Sequence, residues 1–187
     1  DGVPCAFLPR HGRGHVLTPT EINQRANIWA LKSLGVARVL AFSAVGSLKE
    51  ELPPRTFVFP DQLVDRTKHR VSTFFGGGVV AHVAFNPPFA PEQNKIVFDC
   101  AVELGIKSAF GGTYCCMEGP AFSTKAESEM HRACGFALIG MTAATEARLA
   151  REAELVYSQA AMVTDYDCWI DGEEVSTELI VASLHAT

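Results

Sequence analysis

Short apolar runs and amphipathic stretches alternate along the chain, and polar or glycine-rich segments separate them. The apolar runs have the length of buried strands, whereas the amphipathic stretches repeat their apolar residues with helical spacing. The pattern predicts strands over 3–8, 38–45, 56–60, 107–117, 137–141 and 156–164, and helices over 18–34, 91–104, 123–134, 144–154 and 176–185. This alternation predicts an α/β fold with a mixed, mostly parallel central sheet flanked by helices.

Capping residues define several of these boundaries. Thr18 is expected to cap the first helix, with Pro19 at the first helical position and Glu21 closing a capping box. Ser123 is expected to cap the third helix. Residues 65–91 show no clear period and are expected to form strands and long loops.

The composition suits one folded domain. Of the 187 residues, 48% are hydrophobic and 20% are charged, and the net charge is −5. An acidic chain lacks the basic face that nucleic-acid binding needs, and no apolar run has membrane-spanning length. The chain opens with Asp1, shows no signal peptide and runs directly into an apolar stretch. We therefore expect a single domain over 1–187 that lacks both natural ends.

The six cysteines offer no disulfide framework. No CxxC pair occurs, and a disulfide between the vicinal Cys115 and Cys116 is disfavoured. Buried thiols in a reducing compartment are therefore expected. His11 and His15 could form a metal pair, but two arginines stand among them and no third ligand is obvious. No metal site is predicted.

Polar residues follow several predicted strands, and ligands of parallel sheets bind beyond the carboxyl ends of strands. Arg10 and His11 follow the first strand in a glycine-rich loop. An arginine fork and a histidine suit phosphate oxygens, although a solvated basic loop would have the same sequence. Ser43 and Ala44 stand near the end of the second strand beside a glycine, in a pattern typical of anion sites but not specific to them.

Two further clusters follow later strands. Met141 and Thr142 could contact a sugar and a phosphate, or they could be a core methionine and a helix cap. Phe122, next to Ser123, follows a Gly-Pro turn and could cover a flat ring, or it could belong to the core.

Two carboxyl groups, Asp165 and Asp167, stand two residues apart at the end of the last strand. In an extended chain they would lie on the same side. Repulsion between like charges would raise the pKa of one carboxyl, which could then donate a proton near neutral pH. A cation-binding or helix-capping pair is the alternative.

Motifs of several other enzyme classes are missing. The sequence has no G-x-S-x-G elbow, no Walker A loop and no glycine-rich dinucleotide fingerprint. The pattern is therefore not that of a P-loop or hydride-transfer enzyme.

Taken together and in this order, the clusters resemble the trimeric purine nucleoside phosphorylases, and among them the branch that cleaves 5′-methylthioadenosine. The stretches that carry the resemblance span nearly the whole chain, at 10–13 (RHGR), 27–32 (NIWALK), 46–48 (GSL), 65–67 (DRT), 118–120 (EGP), 122–123 (FS), 126–128 (AES) and 164–169 (TDYDCW). The resemblance implies the three-layer fold of that family and a small nucleoside substrate. It implies no cofactor, with inorganic phosphate as co-substrate. It also implies a homotrimer in the cytoplasm, with the nucleus as a second expected location.

The resemblance also implies roles for individual residues. Phosphate would be held by Arg10, His11, Ser43, Ala44 and Thr142. The ribose would lie against Met141, and Phe122 and Ser123 would border the base.

The remaining roles concern the base and the 5′ group. Asp165 would protonate or hydrogen-bond N7 of the leaving adenine, and Asp167 would bond its 6-amino group. His82 would reach a neighbouring subunit's site near the methylthio group, and Thr177 and Ile180 would line the 5′ pocket.

Some positions depart from the family pattern. Ser43 stands where some members have Thr, Thr145 stands where a proline is common, and the family's N-terminal glycine-rich phosphate loop and C-terminal helix are absent. Enzymes for 6-oxopurines usually have Asn in place of Asp165, so the acid pair favours an adenine-type substrate. A phosphorylase for 6-oxopurine nucleosides and an inactive truncated paralogue with only an assembly role stay open as alternatives.

Overall fold

The computed structural model describes residues 2–170 and 175–185. The helices are α1 (Gln24–Ser33), α2 (Pro91–Glu103), α3 (Lys125–Ala133), α4 (Ala143–Glu152) and α5 (Thr177–His185). The strands are β1 (Arg38–Ser47), β2 (Phe57–Phe59), β3 (Gln62–Asp65), β4 (Ser108–Phe110), β5 (Thr113–Cys116), β6 (Leu138–Gly140) and β7 (Val156–Asp165).

These strands form one sheet in the order β3-β5-β6-β1-β7-β2-β4. Four neighbouring pairs are parallel, whereas β1 with β6 and β2 with β7 are antiparallel. The predicted α/β class, with a mixed and mostly parallel sheet flanked by helices, is confirmed.

The sheet closes on itself through two bent strands. Phe57 pairs with Ser108 and Asp65 pairs with Cys116, so residues 57–65 follow residues 108–116 with the same offset of 51 at both ends. At one end of this pair β2 also pairs with β7, and at the other end β5 also pairs with β6. β1 pairs with both β6 and β7. The seven strands are therefore five chain runs arranged in a ring.

The predicted 107–117 strand is one of these bent runs. It breaks at Gly111 and Gly112, whose φ angles of 88° and 100° are left-handed and favour glycine. The Gly111 N–H still donates to the Phe59 carbonyl at 2.9 Å, and the Gly112 N–H donates to the Asp61 carboxylate at 3.0 Å. The bend thus keeps the register while turning the strand direction.

Two helix starts differ from the prediction. Thr18 does bond Glu21, because its N–H and hydroxyl donate to the carboxylate at 2.9 and 2.8 Å, but this contact closes a turn before the helix. The N-cap of α1 is Asn23, whose side chain accepts from the Ala26 N–H. The N-cap of α3 is Thr124, one residue later than predicted, with a capping box to Glu127.

The predicted strand over 3–8 is wrong. These residues have no regular structure and are exposed, Phe7 to 94%. A strand needs a neighbour to pair its backbone groups, and no strand of the described chain pairs with this stretch. Apolar composition alone therefore misassigned it.

The main core lies between the sheet and α4. The face of α4 that meets the sheet is made of small residues, Ala143, Ala144, Ala147 and Ala150, all nearly fully buried. Small side chains let this helix approach β7 closely. The core therefore fixes the start of α4, where a predicted phosphate residue lies.

All six cysteines are free. Cys115 and Cys116 are buried as expected, but the expectation of buried thiols is wrong for Cys5, Cys100 and Cys134, which are exposed. Within the described ranges, no three His, Cys, Asp or Glu side chains gather around a metal position, and no helix is long and apolar enough to cross a membrane.

Candidate active site

Arg10 is held by a salt bridge to the start of α4. Its Nε and Nη2 donate to the two carboxylate oxygens of Glu146 at 2.5 and 3.1 Å, and its Nη1 donates to the Phe42 carbonyl on β1 at 2.6 Å. Burial alone would lower the pKa of the guanidinium, but the adjacent carboxylate raises it overall. Arg10 is therefore a fixed cation between β1 and α4, with further N–H groups of its fork free of these three bonds.

A chain of buried hydrogen bonds continues from this salt bridge. The Tyr157 hydroxyl donates to Glu146 at 2.7 Å and lies 3.2 Å from Oε1 of Gln159. The Gln159 Nε2 donates to the hydroxyl oxygen of Ser43 at 2.8 Å. Buried side chains of α4 and β7 thus connect two predicted phosphate residues, Arg10 and Ser43.

Thr142 lies at the N-terminus of α4, two residues after the end of β6. The buried Tyr114 phenol interacts with both the Ser43 side chain and the Thr142 backbone, so these two residues lie close together. The Thr142 hydroxyl is buried, caps no helix N–H and has no hydrogen-bond partner. An unpartnered hydroxyl at the start of a helix is a suitable donor to an anion.

The other predicted phosphate residues flank this cluster. His11 adjoins Arg10, its Nδ1 lies 2.8 Å from the Leu17 carbonyl, and its ring stacks on His15 at 4.1 Å. Burial is the main cause that lowers the pKa of His11, and the charges of His15 and Arg10 lower it further. His11 is therefore neutral at neutral pH. Ala44 is exposed on β1 and can offer an anion only its backbone.

Met141 and the turn after β5 are positioned by a buried arginine. The Arg70 side chain is 3% exposed, and its guanidinium donates to the carbonyls of Met141 and Glu118, the latter at 2.6 Å. The Met141 side chain packs on Gly119, where a Cβ would overlap its sulfur. Arg70 therefore ties the ends of β5 and β6 together and fixes the Met141 backbone.

Glu118 anchors the loops around this turn. Its carboxylate accepts from the Thr20 hydroxyl, from the N–H groups of Lys68 and His69, and from Arg70. Partial burial would raise the pKa of Glu118, but these donors together lower it to about 2. The charged carboxylate therefore joins three separate segments of chain.

Asp165 and Asp167 are brought together by a turn. Oδ1 of Asp165 accepts the Asp167 N–H at 2.8 Å, and its Oδ2 accepts from the Thr164 hydroxyl at 2.6 Å. Asp167 has a φ of 53°, so the expected extended chain between the two carboxyls is wrong. Both residues are buried, and Oδ2 of Asp167 has no partner.

The acid pair packs on β1 at Gly46. A Cβ at Gly46 would lie 3.1 Å from Oδ1 of Asp165 and 3.3 Å from Cβ of Asp167. Gly46 is three residues from Ser43 along β1, a distance of about 10 Å. The buried acids therefore pack against the same strand that carries Ser43, about 10 Å further along it.

Phe122 and Ser123 lie on the loop beside this pair. Phe122 is 42% exposed, so the alternative of a core phenylalanine is wrong. The Ser123 carbonyl accepts from the Cys168 thiol at 3.2 Å, which joins this loop to the residue after Asp167. The loop that carries the exposed Phe122 ring thus contacts the chain next to the two acids.

Three predicted residues are not brought to this cluster within the chain. His82 is exposed in a segment that Arg151 holds through the carbonyls of Ala84 and Pro87. Arg151 lies at the opposite end of α4 from Thr142, about 14 Å away along the helix. On α5, which packs on β7, the side chain of Thr177 is exposed and that of Ile180 is half-buried.

Several residues of the site were not predicted from the sequence. Glu146, Tyr157, Gln159 and Arg70 hold predicted ligands in place, and only their burial identifies them. One signal was available: Gln159 stands inside an apolar run, and a buried amide in such a strand needs a partner. Its partner Ser43 lies 116 positions away in the sequence, which no local pattern can indicate.

Comparison with known proteins shows the family of this chain. The family model described as the phosphorylase superfamily matches residues 2–185. The chain is 59% identical to the S-methyl-5'-thioadenosine phosphorylase of Koribacter versatilis, over 98% of this chain and 63% of that protein. It is 53% identical to the enzyme of the same name from Geobacter sulfurreducens, over 97% of this chain and 64% of that one. The chain thus spans slightly less than two thirds of these relatives.

Solved structures give the same result. A methylthioadenosine phosphorylase from Schistosoma mansoni in complex with adenine superposes with a TM-score of 0.92 at 36% identity, covering 96% of this chain and 70% of that one. A methylthioadenosine phosphorylase from an Antarctic soil metagenomic library superposes with a TM-score of 0.91 at 49% identity, covering 96% and 64%. With its fold, its order of motifs and these relatives in agreement, the chain belongs to the phosphorylase superfamily.

Proposed function

We propose that the protein catalyses phosphorolysis of 5′-methylthioadenosine to adenine and 5-methylthioribose 1-phosphate. The observation that carries this proposal is the division of the site along β1. An arginine and two hydroxyl groups, from Arg10, Ser43 and Thr142, lie at the middle of β1 and the start of α4, and the buried Asp165–Asp167 pair packs against Gly46 further along β1. The first group suits phosphate, the second suits an aminopurine, and the ribose would lie between them.

The proposed reaction uses these groups in one displacement at the sugar. The bond between C1′ and N9 breaks first, and the ribose develops positive charge above the phosphate dianion, which stabilises that charge and then bonds C1′. Asp165 donates a proton or hydrogen bond at N7 as adenine leaves, and Asp167 accepts from the 6-amino group. Such proton donation contributes about 10²- to 10⁴-fold to the rate.

Phosphate is proposed as the co-substrate, and no further cofactor or metal takes part. His11 and the Ala44 backbone are proposed to complete the phosphate site, Met141 to contact the ribose, and Phe122 and Ser123 to border the base. The proposed assembly is a homotrimer in which His82 serves a neighbouring subunit. Free thiols accord with the proposed cytoplasmic location, and the nucleus is a proposed second one.

On the 5′ side, Thr177 and Ile180 are proposed to line an apolar pocket. Such a pocket favours a methylthio group over a hydroxyl by only about 1–3 kcal/mol. Some activity on adenosine is therefore expected.

An assay of adenine release from 5′-methylthioadenosine tests the proposal. Release should require phosphate and should yield one sugar phosphate per adenine. Release that ignores phosphate would indicate a hydrolase. No release at all would support the alternative of an assembly role without catalysis, and faster cleavage of inosine than of methylthioadenosine would support the 6-oxopurine alternative.

A further inference from the structure

A buried side chain that the proposed reaction does not use donates a hydrogen bond to Ser43. Gln159 is fully buried on β7, and its Nε2 donates to the Ser43 hydroxyl oxygen at 2.8 Å. A second contact fixes the orientation of the amide, because the same Nε2 lies 3.4 Å from the Ala160 carbonyl oxygen. In the flipped orientation two acceptors, Oε1 and this carbonyl oxygen, would face and repel each other.

Donation by Gln159 determines what Ser43 can do. A hydroxyl has one proton and two acceptor lone pairs, so an oxygen that accepts from behind keeps its proton for another partner. The Ser43 oxygen accepts from Gln159 on β7, and near it, at the start of α4, the Thr142 hydroxyl has no partner. A phosphate bound there offers only acceptors to Ser43.

The other neighbour of Ser43 is a fully buried tyrosine. Burial is the main cause that raises the pKa of Tyr114, which therefore keeps its proton, although Ser43 opposes part of the rise. A protonated phenol can donate to Ser43 as Gln159 does, or it can accept the Ser43 proton in competition with phosphate. A variant at Tyr114 separates these two cases.

We propose that Gln159 is a positioning residue for phosphate: it holds the Ser43 hydroxyl with its proton directed into the anion site. This inference rests on the proposed function for the identity of the anion. It assigns Gln159 no contact with phosphate or nucleoside. Its effect should therefore appear in phosphate affinity and should pass through Ser43 alone.

The test measures binding of inorganic phosphate to the purified protein by calorimetry, together with the KM values for phosphate and for methylthioadenosine. Gln159→Met keeps the volume and removes the donor. It should weaken phosphate binding about five- to tenfold, the equivalent of one ordinary hydrogen bond, and leave the nucleoside KM within about twofold. Tyr114→Phe should strengthen phosphate binding if Tyr114 takes the Ser43 proton, and otherwise leave it nearly unchanged.

A double-mutant cycle separates positioning from general damage. In a Ser43→Ala background, Gln159→Met should cause no further loss of phosphate affinity, because the two residues act in series. The matched control is Gln93→Met, which removes another buried amide, one that donates to the Val39 carbonyl at 2.8 Å. This control should lower the melting temperature without changing phosphate affinity.

If Gln159→Met does not fold, Gln159→Glu keeps the shape but presents an acceptor to Ser43. The hydroxyl proton would then turn away from the site, and phosphate binding should fall further than tenfold. Wild-type phosphate affinity in either variant, or losses that add to that of Ser43→Ala, would overturn the inference. A wild-type protein that binds phosphate but releases no adenine would refute the proposed function alone.

Discussion

In the proposed function, single residues decide which base the site accepts. Both oxygens of Asp165 accept hydrogen bonds from neighbouring residues, and one oxygen of Asp167 has no partner in the described structure. A carboxyl pair and a carboxyl–carboxamide pair offer a purine different donors and acceptors. Under the proposed function, the acids therefore carry the preference between amino and oxo purines.

Asp165→Asn is predicted to move this preference toward inosine. The amide cannot act as an acid but can donate to a 6-oxygen, so kcat/KM for methylthioadenosine should fall at least about 100-fold, the lower bound for general-acid catalysis. Activity on inosine should rise relative to the wild type. Kinetics on both substrates checks the prediction, and a variant with unchanged adenine selectivity would contradict it.

Gly119 leaves the space that the Met141 side chain fills. Its φ is 68°, and a Cβ there would overlap the sulfur of Met141. Gly119→Ala is predicted to displace Met141 and to destabilise the fold by about 1–3 kcal/mol through backbone strain. Chemical unfolding measures the stability change, and a higher KM for the nucleoside should accompany it. The matched substitution Gly35→Ala also lies at positive φ, 78°, but meets no atom within 4 Å, so it should affect stability alone.

Among the elements, the loops that Glu118 joins make the stability of the fold depend on pH. The folded-state pKa of Glu118 is about 2, below its ordinary value of 4.5. Stability from a carboxyl with a depressed pKa is fully present above the ordinary value and is lost as the pH falls through the folded value. The loss therefore falls between pH 4.5 and about 2.

Glu118→Gln is predicted to be less stable than the wild type above pH 4.5 and to show a flatter decline below it, because the substituted group no longer titrates. Urea unfolding at several pH values tests this. Parallel stability curves for the two proteins across the acid range would contradict it.

The elements also show what local sequence patterns can predict. Strands β1, β6 and β7 and helices α2 and α4 lie close to their expected positions, since apolar period and length determine them. The helix expected at Thr18 begins at Gln24, because the Thr18–Glu21 bond is satisfied equally well by a turn. Pairing across the sheet decides the remaining cases, and pairing is not visible in a local pattern.

At the scale of the whole molecule, an exposed apolar segment supports the proposed assembly. Val79 and Val80, three and two residues from His82, are 59% and 79% exposed. Neighbouring exposed apolar side chains are typical of surfaces that another subunit covers. The segment that carries His82 is therefore a candidate subunit interface.

Light scattering is predicted to give three times the chain mass of 20.2 kDa. Val80→Asp should dissociate the assembly, because an unpaired charge in an apolar interface is costly. Activity should fall with it if His82 acts in a neighbouring site. A monomeric wild type, or a Val80→Asp variant that stays trimeric, would contradict this account.

The ring of strands has a consequence for behaviour at high concentration. In an open sheet the two outer strands can recruit strands from other molecules, which leads to aggregation. Here the outer strands are β3 and β4, of four and three residues, and each continues into a strand paired on both sides. Edges this short offer little template for intermolecular pairing. Aggregation of this chain should therefore begin at the exposed apolar residues 3–8, and protease protection of that stretch in any precipitate would reveal it.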